Sequence, residues 1–241
     1  MKVFSLILFA LVSFNFTSAS NTAPNNKPNH AEWNRLLGKY VDQKGNVNYK
    51  GFKKDALALS TYLEGLAKNA PTDQWSKDEK LAYYINLYNA ATVKLILDNY
   101  PVKSIKDIKG PWDQEWVKIG NKTYSLGNIE HKILRKMNEP RIHFAINCAS
   151  YSCPKLVNTA YLPATMEAQL QKATFSFIND TTRNNISENE LQLSNIFKWY
   201  KSDFTTTVSL QEYLKPYSKI AISTDAKVKY NDYDWSLNEI K

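Results

Sequence analysis

The chain has two cysteines and three histidines, and both cysteines, Cys148 and Cys153, follow closely on His143. Thiols and imidazoles are the side chains most often recruited for covalent and proton-transfer chemistry near neutral pH. The segment 141–155 is therefore the first candidate for a site. Such residues can support attack by a thiolate with a histidine as base, or thiol–disulfide exchange. They can also close as a local disulfide, or pack as small buried hydrophobes.

Read as a strand, residues 141–147 alternate their faces. His143, Ala145 and Asn147 then share one face, and Phe144, Ile146 and Cys148 the other. This reading separates His143 from Cys148 and argues against a dyad within the strand. Cys153 precedes Pro154, and proline is favoured at the first position of a helix. A helix starting there would hold the Cys153 thiol at its positive end and lower its pKa. Cys153 is thus the expected nucleophile, with Cys148 as its partner or as a packing residue.

Glu130-His131 is a second candidate. Neighbours on a helix do not share a face, so one would point inward and the other to solvent. Asn86 and Asn89 form a third. They are three apart on one face of an apolar helical segment, where asparagine is otherwise disfavoured. Buried amides need partners, so the pair either holds a neighbouring loop or binds substrate. With Asn147 they make up the expected substrate-binding amides. His30 is expected in a linker, without a role.

Helical spacing predicts helices over 31–41 (Trp33, Leu36, Leu37 and Tyr40 inward) and 52–67 (Leu57, Leu59, Leu63 and Leu66). Between them, Gly45 marks a turn and 47–49 an extended piece. Ser76 and Glu79 form a capping-box pattern that opens the longest and most apolar helix, 77–99. Gly120-Asn121 sits between two strand candidates and predicts a hairpin. A helix follows over 126–137, then the strand 141–147. Further helices are expected over 163–178, 196–204 and 209–213, a second hairpin over 184–194, and a strand over 220–223. This is an α+β pattern: a helix-rich single domain, 31–241, with a small, mostly antiparallel sheet.

The first residues read as a secretory signal peptide, 1–19: a short basic start, an apolar run, and small residues at Thr17-Ser18-Ala19. A polar linker, 20–30, follows. No cysteine follows the leader to carry a lipoprotein anchor. About 220 residues remain, enough for one domain. The protein is expected to be exported, periplasmic or extracellular, without a transmembrane segment. Its net charge of +8 comes from scattered lysines rather than a dense run, so no nucleic-acid partner is expected. Two cysteines and scattered histidines do not make a structural zinc pattern. Neither metal nor cofactor is expected.

Four motifs occur in one order: Tyr84-Ile85-Asn86-Leu87-Tyr88-Asn89-Ala90, then Ile129-Glu130-His131, then His143-Phe144-Ala145-Ile146-Asn147-Cys148 with Ser152-Cys153-Pro154, and Tyr233-Asp234-Trp235-Ser236-Leu237-Asn238. In this the chain resembles the family catalogued as domain of unknown function 547, over about 49–238. The family's name carries no activity. Some of its members join the domain to glutaredoxin-like and DEP domains, which implies thiol-linked biology. The helix–strand order is also similar to that of papain- and transglutaminase-like hydrolases. In those the central helix opens with the nucleophilic cysteine, whereas here it carries Asn86 and Asn89.

The leading expectation is a thiol-dependent hydrolase or transferase acting on an amide, thioester or peptide-like bond of a small molecule or peptide. Cys153 would be nucleophile, His143 or His131 base, and Glu130 or Asn86 the orienting group. Two alternatives stand beside it: a binding or scaffold module with a structural Cys148–Cys153 disulfide, and a thiol–disulfide exchange protein.

Overall fold

The computed structural model describes residues 27–241. The expected leader, 1–19, and the linker as far as residue 26 lie outside the described residues. His30 departs from the linker expectation. It is buried at the start of helix α1 (Ala31–Tyr40), with Nδ1 2.7 Å from the Tyr62 hydroxyl. Burial lowers its pKa to about 4, so it packs as a neutral ring.

Helix α1 buries the four residues its spacing selects, Trp33, Leu36, Leu37 and Tyr40. After the Gly45 turn Val47 is extended as expected, bridging to Val41 and Glu239, and helix α2 (Tyr49–Phe52) begins at Tyr49. The Asn48 side chain accepts from the Gly51 amide and so caps that turn. A 3-10 turn, Lys53–Asp55, then delays helix α3 (Ala56–Lys68). The delay rotates the apolar face: Leu59, Tyr62 and Leu66 are buried, while Leu57 is 80% exposed.

Helix α4 (Lys77–Asn99) has the bounds its capping signal predicts. Ser76 Oγ accepts from the Glu79 amide, and the Glu79 carboxylate accepts from the Ser76 amide. Fifteen of its residues are buried, on more than one face, as expected of a helix surrounded by other elements. Helices α1 and α3 and the following chain pack around it to form the larger core.

Strands β1 (Val117–Ile119) and β2 (Lys122–Tyr124) form the expected antiparallel hairpin, turning at Gly120 with φ +59°. Helix α5 (Met166–Ile178) puts Met166 and Leu170 in the first core, and Ala173 and Phe177 in a second. The second core also holds Phe144, Leu191, Leu193 and Phe197, and lies over a three-stranded sheet. In that sheet β3 (Asn185–Ile186) runs antiparallel to β4 (Glu190–Leu193), and β4 runs parallel to β5 (Lys227–Tyr230). The strand expected over 220–223 is loop; Ile220 there is exposed. The Lys-Val-Lys-Tyr alternation of β5 supplies the third strand in its place. Helices α6 (Ile196–Trp199), α7 (Lys201–Phe204) and α8 (Leu210–Leu214) close this half. The fold is α+β, with one small antiparallel sheet and one mixed sheet. No helix among the described residues is long and apolar enough to cross a membrane.

The closing residues lace the region of Val47 and Tyr49 to the cysteine segment. Val47 donates to the Asn238 carbonyl, Asn238 to the Ala149 carbonyl, and Tyr151 to the Ser236 carbonyl. Tyr49 donates its hydroxyl to Asn238 Oδ1 at 2.8 Å. Backbone groups that a coil would leave unpaired are thereby satisfied without a sheet.

Candidate functional site

Residues 140–154 do not form the expected strand. Pro140 presets a helical φ and the Glu139 carboxylate accepts from the Arg141 amide, so Pro140–Phe144 closes as a 3-10 turn. A threefold rather than twofold repeat then governs the side chains. His143 and Ile146 face a cavity of about 240 Å³, and Phe144 enters the second core. The alternation that separated His143 from Cys148 therefore does not apply.

Helix α4 holds this irregular segment through Asn89, and the chain beyond it through Asn86. Asn89 donates Nδ2–H to the Ala145 carbonyl (3.0 Å) and accepts from the Asn147 amide (2.8 Å). Asn86 does the same for Tyr161, at 2.7 and 3.0 Å. Each amide stands in for a missing neighbouring strand. Asn147 in turn donates to the Pro154 carbonyl and accepts from the Ala149 amide. All three expected substrate-binding amides are thus occupied by backbone, and none lines the cavity.

Both cysteines are free thiols and both line the cavity. No helix begins at Pro154, which removes the dipole argument for Cys153. Cys153 is 7% exposed, and its Sγ accepts from the Cys148 amide at 3.0 Å. Burial, followed by the hydrogen bond with Cys148, pushes its pKa up. Cys148 is the more exposed of the two. Its Sγ lies 3.1 Å from Ser150 Oγ and 3.6 Å from the Tyr233 hydroxyl. The hydrogen bond from Cys153, joined by Ser150 and Tyr233, outweighs burial and lowers the Cys148 pKa to about 7. The greater exposure and the lowered pKa thus fall on Cys148 rather than on Cys153. Burial, and then the neighbouring sulfurs, keep Tyr233 protonated as a donor. The backbone carries strain here too, since Ala149 has φ +60°.

Glu130 and His131 divide as adjacent helical residues must. They lie in a π-helical turn, Asn128–Ile133, a widened geometry common at functional sites. Glu130 is 5% exposed and its Oε2 accepts from the Tyr88 hydroxyl at 3.1 Å. The Tyr200 phenol is pushed well above its usual range by burial and then by the Glu130 carboxylate. The His131 side chain stands at the rim, half exposed, with Nδ1 3.4 Å from an Arg135 nitrogen. Gly127 allows this turn to approach the loop before it. A Cβ there would sit 2.9 Å from the Trp112 carbonyl, to which the Gly127 amide donates.

Neither histidine bonds a thiol among the described residues. His143 Nε2 lies 2.8 Å from Asp203 Oδ2, and its ring stacks on Tyr200 with centroids 3.9 Å apart. Arg135 holds the same carboxylate with two bonds, at 2.6 and 2.7 Å. Partial burial would raise the Asp203 pKa, but the bonds from Arg135 and His143 hold it well below the usual carboxylate range. The expected Cys–His pairing is replaced by a His143–Asp203–Arg135 array that fixes Tyr200 against the cavity.

Sequence reading missed Asp203, Tyr200, Tyr88 and Trp199. Tyr88 lay inside a motif already singled out, one residue before Asn89. Trp199-Tyr200 had a signal in two large aromatics at the end of a short helix. Asp203 had none, because its partners lie 60 and 68 residues away. Among the described residues no group of His, Cys, Asp and Glu is placed to hold a metal ion.

Residues 72–178 match the family model described as "Protein of unknown function, DUF547", and this part of the chain belongs to that family. The match takes in Asn86, Asn89, Glu130, His131, His143, Cys148 and Cys153. The residues of β3–β5 and the closing segment, with Tyr200, Asp203 and Tyr233, lie beyond it. No curated protein and no solved structure matches the chain.

Proposed function

We propose that the cavity is a thiol-dependent acyl-transfer or hydrolysis site, with Cys148 as nucleophile and an amide, thioester or peptide-like bond as target. One observation carries this reading: Cys148 reaches the cavity, and the Cys153, Ser150 and Tyr233 side chains around its sulfur lower its pKa to about 7. A thiol that is about half ionised near neutral pH needs no histidine base for attack. Its thiolate would form the sulfur–carbon bond as the carbonyl–nitrogen or carbonyl–sulfur bond breaks, the leaving group departing as a thiolate or as an amine that takes a proton from water. Glu130, buried in the same cavity, is the group available to take a proton from water or from an acceptor in the second step. His143 is here a positioning residue and His131 a rim residue.

The test is acylation by an activated ester such as p-nitrophenyl acetate, followed by peptide mass mapping. An acetyl adduct on Cys148 that turns over, and is lost in Cys148→Ala, is expected. Equal hydrolysis by Cys148→Ala, or an adduct confined to Cys153, would sink the proposal.

The closeness of the two thiols favours a second reading, thiol–disulfide exchange, in which Cys153 resolves a mixed disulfide on Cys148. The leader pattern, read as export, puts the chain in a disulfide-forming compartment. Measuring the reduction potential of the pair separates the two. A potential in the oxidoreductase range with no acyl adduct selects exchange, and a pair resistant to reduction selects a structural staple.

A further inference from the structure

The cavity walls carry an unusual balance of side chains. Six aromatic residues line it: Tyr88, Trp112, Trp199, Tyr200, Tyr233 and Trp235. Among the described residues no lysine or arginine does, although the protein carries 31 of them and a net charge of +8. The one carboxylate in the wall, Glu130, accepts from the neutral phenol of Tyr88, and the rim ring of His131 lies 4.0 Å from it. A site for an anionic substrate would reverse this arrangement.

Trp199, Tyr233 and Trp235 form a continuous aromatic wall, with centroids 4.6 to 5.7 Å apart. Trp199 remains 46% exposed despite its size. Lys106 Nζ already lies 5.0 Å from the Trp235 ring centroid, so this wall attracts cations on the protein's own evidence. Aromatic faces attract alkylated ammonium ions through the ring quadrupole, and more strongly once water is excluded. A buried carboxylate whose partner is neutral gains a counter-ion in the same event.

We propose that the cavity recognises an organic ammonium cation, held between the aromatic wall and Glu130, and that this group marks the substrate of the Cys148 site. The inference rests on the thiol reading only for the word substrate; the binding site stands without it. A molecule that fits carries a methylated or otherwise substituted ammonium group a short chain away from its amide, ester or thioester carbonyl. The cation would sit against the wall while the carbonyl reaches the sulfur.

The test is a fluorescence titration of the full chain with choline and with its uncharged isostere 3,3-dimethylbutan-1-ol, reading the tryptophans. Choline is expected to bind at least about tenfold tighter than the isostere. Trp199→Ala and Glu130→Gln should each weaken choline by about tenfold. Trp199 is exposed and can be removed without opening a core, so it serves as the check if Glu130→Gln unfolds. Equal binding of the two probes, or choline binding insensitive to Trp199→Ala, overturns the cation site. An acyl adduct on Cys148 together with equal probe binding overturns this inference alone, and cation binding without any adduct overturns only the thiol mechanism.

Discussion

Helix α4 and the segment 140–154 lie against each other and were built by opposite rules. In α4, local signals decide: a capping box starts the helix, a tyrosine–proline step follows it, and an apolar surface buries it. In 140–154 local signals lose. A run that alternates like a strand closes as a 3-10 turn, a non-glycine residue takes a left-handed conformation, and Asn89 from α4 supplies hydrogen bonds that a strand would have found in a sheet. The thiol proposed as nucleophile belongs to the second region. A conformation imposed from outside can hold a sulfur among donors in a way that a regular element would not. Local rules tend to be broken where function resides.

The largest effect should come from cutting the tie between the two regions. Asn89→Leu leaves the Ala145 carbonyl and the Asn147 amide buried without partners and should destabilise by about 3 kcal/mol, measured by urea unfolding. Alkylation of Cys148 should lose its low midpoint in the same variant. A loss below about 1 kcal/mol would mean that the segment holds its shape by itself and that the comparison is wrong.

Next in size is the array that fixes Tyr200. Asp203→Asn removes the shared acceptor of Arg135 and His143 and should cost about 2 kcal/mol at neutral pH. The Asp203 pKa is depressed in the folded state. Its stabilisation is therefore complete above the unfolded carboxylate value of about 4 and fades as pH falls below it. Unfolding curves of the two proteins should converge in acid. A gap that persists undiminished at pH 2 would show that the carboxylate is not the source.

Much of the fold could be read in the residues themselves, and little of the site. Ser76 and Glu79 bounded α4, and Gly120 located the first hairpin, because capping and turn chemistry act within a few residues. The Asn86–Asn89 spacing correctly marked a demand for buried partners but not which loop would meet it. Cys148 was ranked below Cys153 because both arguments used, strand alternation and a helix start at Pro154, are local. What lowers the Cys148 pKa is Cys153, Ser150 and a hydroxyl from Tyr233, and the tyrosine comes from the far end of the chain. Asp203 was invisible for the same reason.

Two smaller effects sharpen the contrast. Ser76→Ala, at the locally coded start of α4, should cost about 1 kcal/mol and leave Cys148 reactivity unchanged. Ala149→Gly should do the reverse. Relief of the left-handed strain should stabilise by up to about 1 kcal/mol, while the added backbone freedom beside Cys148 should move its alkylation midpoint upward. Thermal melts and thiol kinetics on the two variants give both readings. If Ser76→Ala shifted the thiol, or Ala149→Gly were destabilising, the division between the regions would fail.

The central claim is that Cys148 is an activated thiol and Cys153 is not. The direct measurement is the pH dependence of iodoacetamide alkylation in the reduced full chain, resolved by residue through mass mapping. Cys148 should react first, with a midpoint near 7, and Cys153→Ala should raise that midpoint by removing the side-chain hydrogen bond. A Cys148 midpoint at or above the ordinary thiol value of about 8.5, or faster reaction at Cys153, would contradict it.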